Sequence, residues 1–278
     1  MSPKLNNMFV RALTGIVYVA LLVGSVIYGP LTMFLFFTLV SAAATWEFAT
    51  LMNRHNGLEL NRPILSIASV LLGGAIWCYQ MQAATAGQLF ALYGFTMLYL
   101  LVSELYRQAP NPLANWAFSF ASQFYVALPL ALPSLISVGT DTYHWIFILA
   151  TFVFLWINDT GAYLTGSALH NVFPAKLFER ISPNKSWVGS IGGGILTVLV
   201  SLAFAHYDPT LTRLQWAGMA LVVVVFGTWG DLVESLLKRQ LGIKDSGKVL
   251  PGHGGMLDRF DSALLSIPAV VLYFIFIG

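Results

Sequence analysis

Charge is what this chain has least of: 9% of its 278 residues are Asp, Glu, Lys or Arg, against about 25% in soluble domains. That scarcity excludes an ordinary soluble globular protein. Cysteine is nearly absent, and the single Cys78, set in an apolar run, rules out an internal disulfide and a cysteine-based metal site. It reads as a small buried apolar residue. Short alternating segments, which a transmembrane β-barrel would need, are missing. No Pro/Ser-rich tract, like-charge block or internal repeat marks a linker or a solenoid.

Apolar sequence fills the space, at 57% of residues. Runs of about 20 apolar residues recur from end to end, each long enough to cross a hydrocarbon core of about 30 Å as a helix. The expected fold is all-α and polytopic, with about nine transmembrane helices at 8–28, 31–52, 64–80, 88–106, 114–138, 143–169, 187–205, 213–237 and 261–277. The first is expected to be a retained span, since no small-residue cleavage site follows it at a leader's distance. Residues 1–140 read as scaffold helices giving lipid access, and 141–278 as the helices that carry chemistry, in one continuous membrane domain.

Nine spans sort the positive charges. Thirteen of the fourteen Lys and Arg fall on one side and only Arg213 on the other, which puts the N-terminus in the cytoplasm and the C-terminus outside. Both long connections, 170–186 and 238–260, are then cytoplasmic. Glu47 and Glu104 lie near cytoplasmic ends of spans, where either structural pairing or a part in the site would account for them.

Polar residues gather in the second half. Asp159, within Asn158-Asp159-Thr160-Gly161, places a carboxylate inside an apolar helix, where it must face protein or a wet cavity. Ser182, Asn184 and Lys185 surround Pro183 before a helix start and offer donors for phosphate, although helix capping explains them as well. Asp231, Glu234, Ser235 and Lys238 recur at i, i+3, i+4 and i+7 and so share one helix face.

The stretch from Asp231 to Asp261 holds five of the fourteen basic and five of the twelve acidic residues. Asp231, Asp258 and Asp261 are expected at one depth, as a metal site. Hard divalent cations take carboxylate oxygens, and magnesium commonly combines one or more of these with substrate phosphates. Lys238, Arg239, Lys244 and Lys248 alternate with a Pro-Gly-His-Gly-Gly turn able to wrap a polyphosphate. His253 has no second His near it, which disfavours zinc; it either contacts phosphate or shapes the turn.

Ser235, Lys238-Arg239, Lys244-Asp245, His253-Gly254-Gly255 and Asp258-Arg259-Phe260-Asp261 together resemble the signature of the phosphatidate cytidylyltransferases, the CDP-diacylglycerol synthases. Asp159-Thr160-Gly161-Ala162-Tyr163 with Gly166, and Ser182 to Gly189, are similar too. Ser186 stands where Thr is usual, and Val188 where Glu is common. The resemblance is strong over 155–265 and general elsewhere. It implies condensation of CTP with phosphatidic acid to CDP-diacylglycerol and pyrophosphate, in phospholipid biosynthesis at the cytoplasmic face of the inner membrane. Asp231, Asp258, Asp261 and Lys244 would be catalytic. Asp159, Ser182, Asn184, Lys185, Ser235, Lys238, Arg239, His253, Gly254, Gly255 and Arg259 would hold substrate. The implied cofactor is magnesium, with a second cation left open; the partners are CTP, phosphatidic acid and membrane lipid but no nucleic acid, with a homodimer left open. Two other classes compete: a secondary transporter of an anionic solute, which should place its ionisable residues at mid-membrane in inverted repeats, and another lipid-phosphate transferase.

Overall fold

The computed structural model describes residues 3–137, 142–247 and 254–277, with side chains described from residue 12 onward. Among these described residues run nine helical spans: α1 Pro3–Tyr28, α2 Pro30–His55, α3 Arg62–Gln80, α4 Ala86–Tyr106, α5 Pro112–Ser137, α6 Trp145–Leu169, α7 Trp187–Tyr207, α8 Arg213–Gln240 and α9 Leu257–Ile277. Among the described residues eight are long and apolar enough to cross a membrane; in α1 the apolar part, Ala12–Tyr28, is shorter. The protein is an all-α, multi-pass membrane protein, and each span lies within a few residues of its expected place.

Starts of the spans follow from their sequences. Prolines stand at the first turn of α2, α3 and α5, where a missing amide hydrogen costs nothing. Thr212 and Gln215 form a reciprocal cap at α8, which satisfies donors that a helix end would otherwise leave open. The fifth span is not the plain helix expected. It passes from α-helix into a π-helical turn at Ser122–Ala127 and then into two short helices, Leu128–Ala131 and Pro133–Ser137. Pro129 and Pro133 lack amide donors and crowd the carbonyls of the preceding turn, so the regular ladder cannot continue.

Between α6 and α7 lies an element the sequence did not announce, an antiparallel hairpin of β1 Lys176–Phe178 and β2 Ser182–Ser186, pairing Lys176 with Ser186 and Phe178 with Ser182. Ser182, Asn184 and Lys185 therefore sit on a strand. Ser186 ends it, and its Oγ accepts from Gly189 N at 3.2 Å to cap α7. A hydroxyl at this position is what the cap requires, and serine supplies it where threonine is usual in the family the sequence resembles.

Packing divides the chain into two units. One comprises the described residues of Met1–Trp145 and Ile243–Phe260. In it Phe260, fully buried, meets Tyr18 edge-on at 5.8 Å and Phe37 at 6.4 Å, and Tyr18 Oη donates to Arg259 O at 3.3 Å. Glu104 in this unit is a structural residue: it accepts from Arg107 at 3.2 Å and from Asn115 Nδ2 at 2.9 Å.

The other unit comprises the described residues of Ile146–Gly242 and Asp261–Gly278. Phe154, Phe204 and the fully buried Trp216 stack in a chain, with centroids 5.3 Å and 5.5 Å apart, joining α6, α7 and α8. Helices α6 and α7 meet backbone to backbone at Gly193. A Cβ there would lie 2.5 Å from Asn158 O and 2.9 Å from Ala162 N, so no larger residue fits.

Candidate functional site

In this second unit a cavity of about 340 Å³ opens between α6, β2, the start of α7 and α8. Five of the residues expected at the site line it: Asp159 from α6, Ser182, Asn184 and Lys185 from β2, and Asp231 from α8. Their positions follow from local structure. The close packing of α6 on α7 sets Asp159 beside the hairpin, and β2 carries its three polar side chains to the same place. Asp159 is exposed to the opening.

Lys185 Nζ lies 2.6 Å from Asp231 Oδ2, with about a quarter to a third of each side chain exposed. The other oxygen, Asp231 Oδ1, accepts from Ser235 Oγ at 3.1 Å. Both oxygens of this carboxylate are therefore oriented by cationic or hydroxyl donors. One residue earlier, Gly230 lets α9 approach α8: a Cβ on it would stand 2.6 Å from Asp261 O. Asp231 and Asp261 thus flank one helix crossing. Asp261 Oδ1 accepts from Ser262 N at 2.6 Å.

The remaining expected residues of this unit are turned elsewhere. Lys238 pairs with Glu234, which is 1% exposed, at 3.3 Å, and Arg239 Nε reaches Ile181 O at 3.5 Å. Both extend the polar face of α8 that the helical spacing predicts, beyond the cavity lining.

In the first unit the signature residues form a second polar cluster around the start of α9. Asp258 Oδ2 accepts from Ser246 N at 2.9 Å and from Gly255 N at 2.8 Å, while Gly254 has a left-handed φ of +88°. Lys244 is exposed. Arg259 Nε is buried without a hydrogen-bond partner, and a buried guanidinium N–H suits an anion. His253 and Lys248 lie outside the described residues. Among the described residues no group of three or more His, Cys, Asp or Glu side chains is placed to hold a metal ion; Asp231 and Asp261 belong to one unit and Asp258 to the other.

Two residues at these places, Ser190 and Thr228, went unread. Asn158, Ser190 and Thr228 also line the cavity; Asn158 Nδ2 reaches Thr228 Oγ1 at 3.5 Å, and its Oδ1 is buried with no partner. Thr228 could have been found by extending the polar face of α8 one turn before Asp231. Glu47, for which the sequence leaves structural pairing and a part in the site both open, proves to hold the cluster at the start of α9. Its carboxylate accepts from Ser246 Oγ, from Met256 N at 2.8 Å and from Leu257 N at 3.1 Å, so it grips the cluster from the opposite end of the sequence.

Donors suited to phosphate and two carboxylates thus gather in one opening of a bundle of apolar helices. The chain belongs to the cytidylyltransferase family, whose sequence profile matches residues 9–277, as the resemblance in the signature implies. It is 31% identical to a phosphatidate cytidylyltransferase of Staphylococcus haemolyticus over 268 residues, 94% of this chain and 96% of that protein. A Haemophilus influenzae phosphatidate cytidylyltransferase is 36% identical over 176 residues, 60% of this chain and 59% of the relative. The Staphylococcus aureus enzyme of the same name is 46% identical over 123 residues; that match spans 44% of this chain and just under half of the relative, 46%.

Proposed function

We propose that the protein transfers the cytidylyl group of CTP to phosphatidic acid, giving CDP-diacylglycerol and pyrophosphate. The observation that carries this reading is the cavity of the second unit, where Lys185, Ser182 and Asn184 face Asp159 and Asp231 in a chain otherwise built of apolar helices. Relatives named phosphatidate cytidylyltransferase support the choice of nucleotide and lipid.

On this reading a phosphate oxygen of phosphatidate attacks the α-phosphorus of CTP, the new P–O bond forms, and the bond to the β-phosphate breaks with its electrons leaving on pyrophosphate. A phosphate monoester with a second pKa of about 6 is already ionised at neutral pH. No strong general base is needed. The work falls to positioning and to neutralising charge: Lys185, Ser182 and Asn184 hold phosphate oxygens, and Lys238, Arg239 and Lys244 add positive charge along the same cytoplasmic segment. Ser235 orients Asp231. In the first unit Arg259 Nε, buried without a partner, suits an anion, and the resemblance assigns Gly254 and Gly255 to substrate as well, with His253 outside the described residues.

Carboxylate oxygens are the donors on offer, and they fit magnesium, which binds through one or two carboxylates and substrate phosphates without needing a cage of protein ligands. Asp231 and Asp261, which flank one helix crossing, would hold it, and when bound it would neutralise charge developing on the leaving pyrophosphate; Asp258, in the first unit, is assigned to it by the sequence alone.

Purified protein in detergent micelles, offered each nucleoside triphosphate with phosphatidate, should release pyrophosphate with CTP and only when the lipid is present. Release without phosphatidate, or equal release from ATP, GTP and UTP, would sink the reading.

The division of positive charges supports a multi-pass protein of the inner membrane with the site facing the cytoplasm. Gln240, exposed at the end of α8, tests this. In a Cys78→Ala background, Gln240→Cys should react with an impermeant maleimide only after the cells are opened. Labelling of intact cells would reverse the orientation.

A further inference from the structure

A second opening in the same unit, of about 560 Å³, runs between α7 and α8 and is lined almost wholly by apolar side chains. Its volume falls within the roughly 300–1,000 Å³ of pockets that hold small organic ligands. Two residues, Ser190 and Thr228, line both this groove and the polar cavity. The two spaces therefore adjoin, with these hydroxyl residues where they meet.

The groove begins at Trp187, the first residue of α7 beside the hairpin, and follows that helix to Leu199. Twelve residues at about 1.5 Å each make it about 18 Å long, a little more than half of a hydrocarbon core of about 30 Å. It is as long as one leaflet is deep. Tryptophans stand where such a groove should meet the headgroup layer, Trp187 on α7 and Trp229 on α8, both about half exposed. Ile191, Ile195 and Leu199, each 57% exposed, continue it inward at helical spacing.

We propose that this groove binds one acyl chain of the phosphatidate whose phosphate occupies the polar cavity, so that chain length and shape are read along α7. The proposal rests on the activity stated above. An amphiphile with an anionic head and an apolar tail matches the two adjoining spaces in polarity, in order and in length. A soluble anion would use the polar cavity and leave the groove without a function.

Leu199→Trp fills the inner end of the groove about nine residues, or about 13 Å, from Ser190. A six-carbon chain does not extend that far. With purified protein, kcat/KM for dioleoyl phosphatidate should fall about tenfold, the loss of contact for a few buried methylenes. Dihexanoyl phosphatidate and the KM for CTP should stay within about twofold of wild type. Leu202→Trp, on the exposed surface of α7 outside the groove, should change neither.

Equal effects of Leu199→Trp on both lipids, no effect on either, or the same effect from Leu202→Trp would overturn the proposal and leave the groove to ordinary bilayer lipid. A loss on both lipids together with a change in oligomeric state would overturn it in favour of a second copy of the chain. Independently of turnover, phosphatidate bearing a photoreactive group near its acyl terminus should label the α7 segment 187–199 of the wild-type protein. Excess phosphatidate should compete and phosphatidylcholine should not; labelling insensitive to competitor would also refute it. Absence of pyrophosphate release by the wild type with any phosphatidate refutes the proposed reaction instead, so the two failures are distinguishable.

Discussion

Asp231→Asn is expected to lower turnover by about 10²–10³-fold, the scale on which removing one preorganised electrostatic group from a reacting site is felt, while leaving the protein folded and extractable. Magnitudes separate the two effects. The Lys185–Asp231 pair is 2.6 Å long but a quarter to a third exposed on each side, and ion pairs of that exposure contribute about 0–1 kcal/mol to stability. Asparagine keeps the size of the side chain and an oxygen for Ser235, so its thermal midpoint in detergent should stay near wild type. What it loses is the charge that holds Lys185 in place and that would bind magnesium. Asp231→Asn and Asp261→Asn should raise the magnesium concentration needed for half-maximal rate, whereas Lys185→Ala should raise the KM of a phosphate-bearing substrate at unchanged metal requirement. Near wild-type activity with unchanged magnesium dependence in Asp231→Asn, Asp258→Asn and Asp261→Asn alike would reduce these acids to caps and ion-pair partners, and Asp159 would become the carboxylate to examine.

The spans were legible because bilayer thickness sets their length and apolarity marks it without any knowledge of packing. Asp159, Lys185 and Asp231 were legible for the converse reason: each is polar in a place where lipid would make it costly. The hairpin was not. Strands of three and five residues carry too little alternation to read, and no Asn-Gly or Asp-Gly turn announces them. Ser190 and Thr228 stayed hidden because small hydroxyl residues bond their own helix backbone and are common in any span. The π-helical turn could have been suspected from Pro129 and Pro133, which stand in a segment whose hydropathy alone reads as one helix. Glu47 was legible as a carboxylate near the end of a span, but its role was not, since its partners begin 199 positions further along the chain.

Glu47→Ala is expected to be the most damaging single change outside the cavity. The residue is 7% exposed, and its carboxylate accepts from Met256 N and Leu257 N at 2.8 Å and 3.1 Å and from the Ser246 hydroxyl. Those two amides stand at the start of α9, where a helix leaves its donors unsatisfied and where negative charge is favoured. A side chain from α2 thus caps a helix that begins about 200 residues later, and the first turn of that helix carries Asp258 and Arg259, with Asp261 just after it. Alanine would leave two amides without their acceptor at about 1–3 kcal/mol each, so a stability loss of roughly 2–5 kcal/mol and a clear fall in thermal midpoint are expected. Glu47→Gln keeps the shape and one acceptor oxygen but turns an NH₂ group toward at least one of the three donors, Met256 N where the remaining oxygen keeps the other two. It should fold and yet misplace the start of α9, and an error of about 1 Å at reacting groups costs about 10²-fold in rate. The loss should appear in kcat, with the KM for CTP changed less, because the groups that shift are those that act on the reacting phosphates. Wild-type kcat together with a wild-type thermal midpoint in Glu47→Ala would show that Ser246 and Asp258 hold the loop without it.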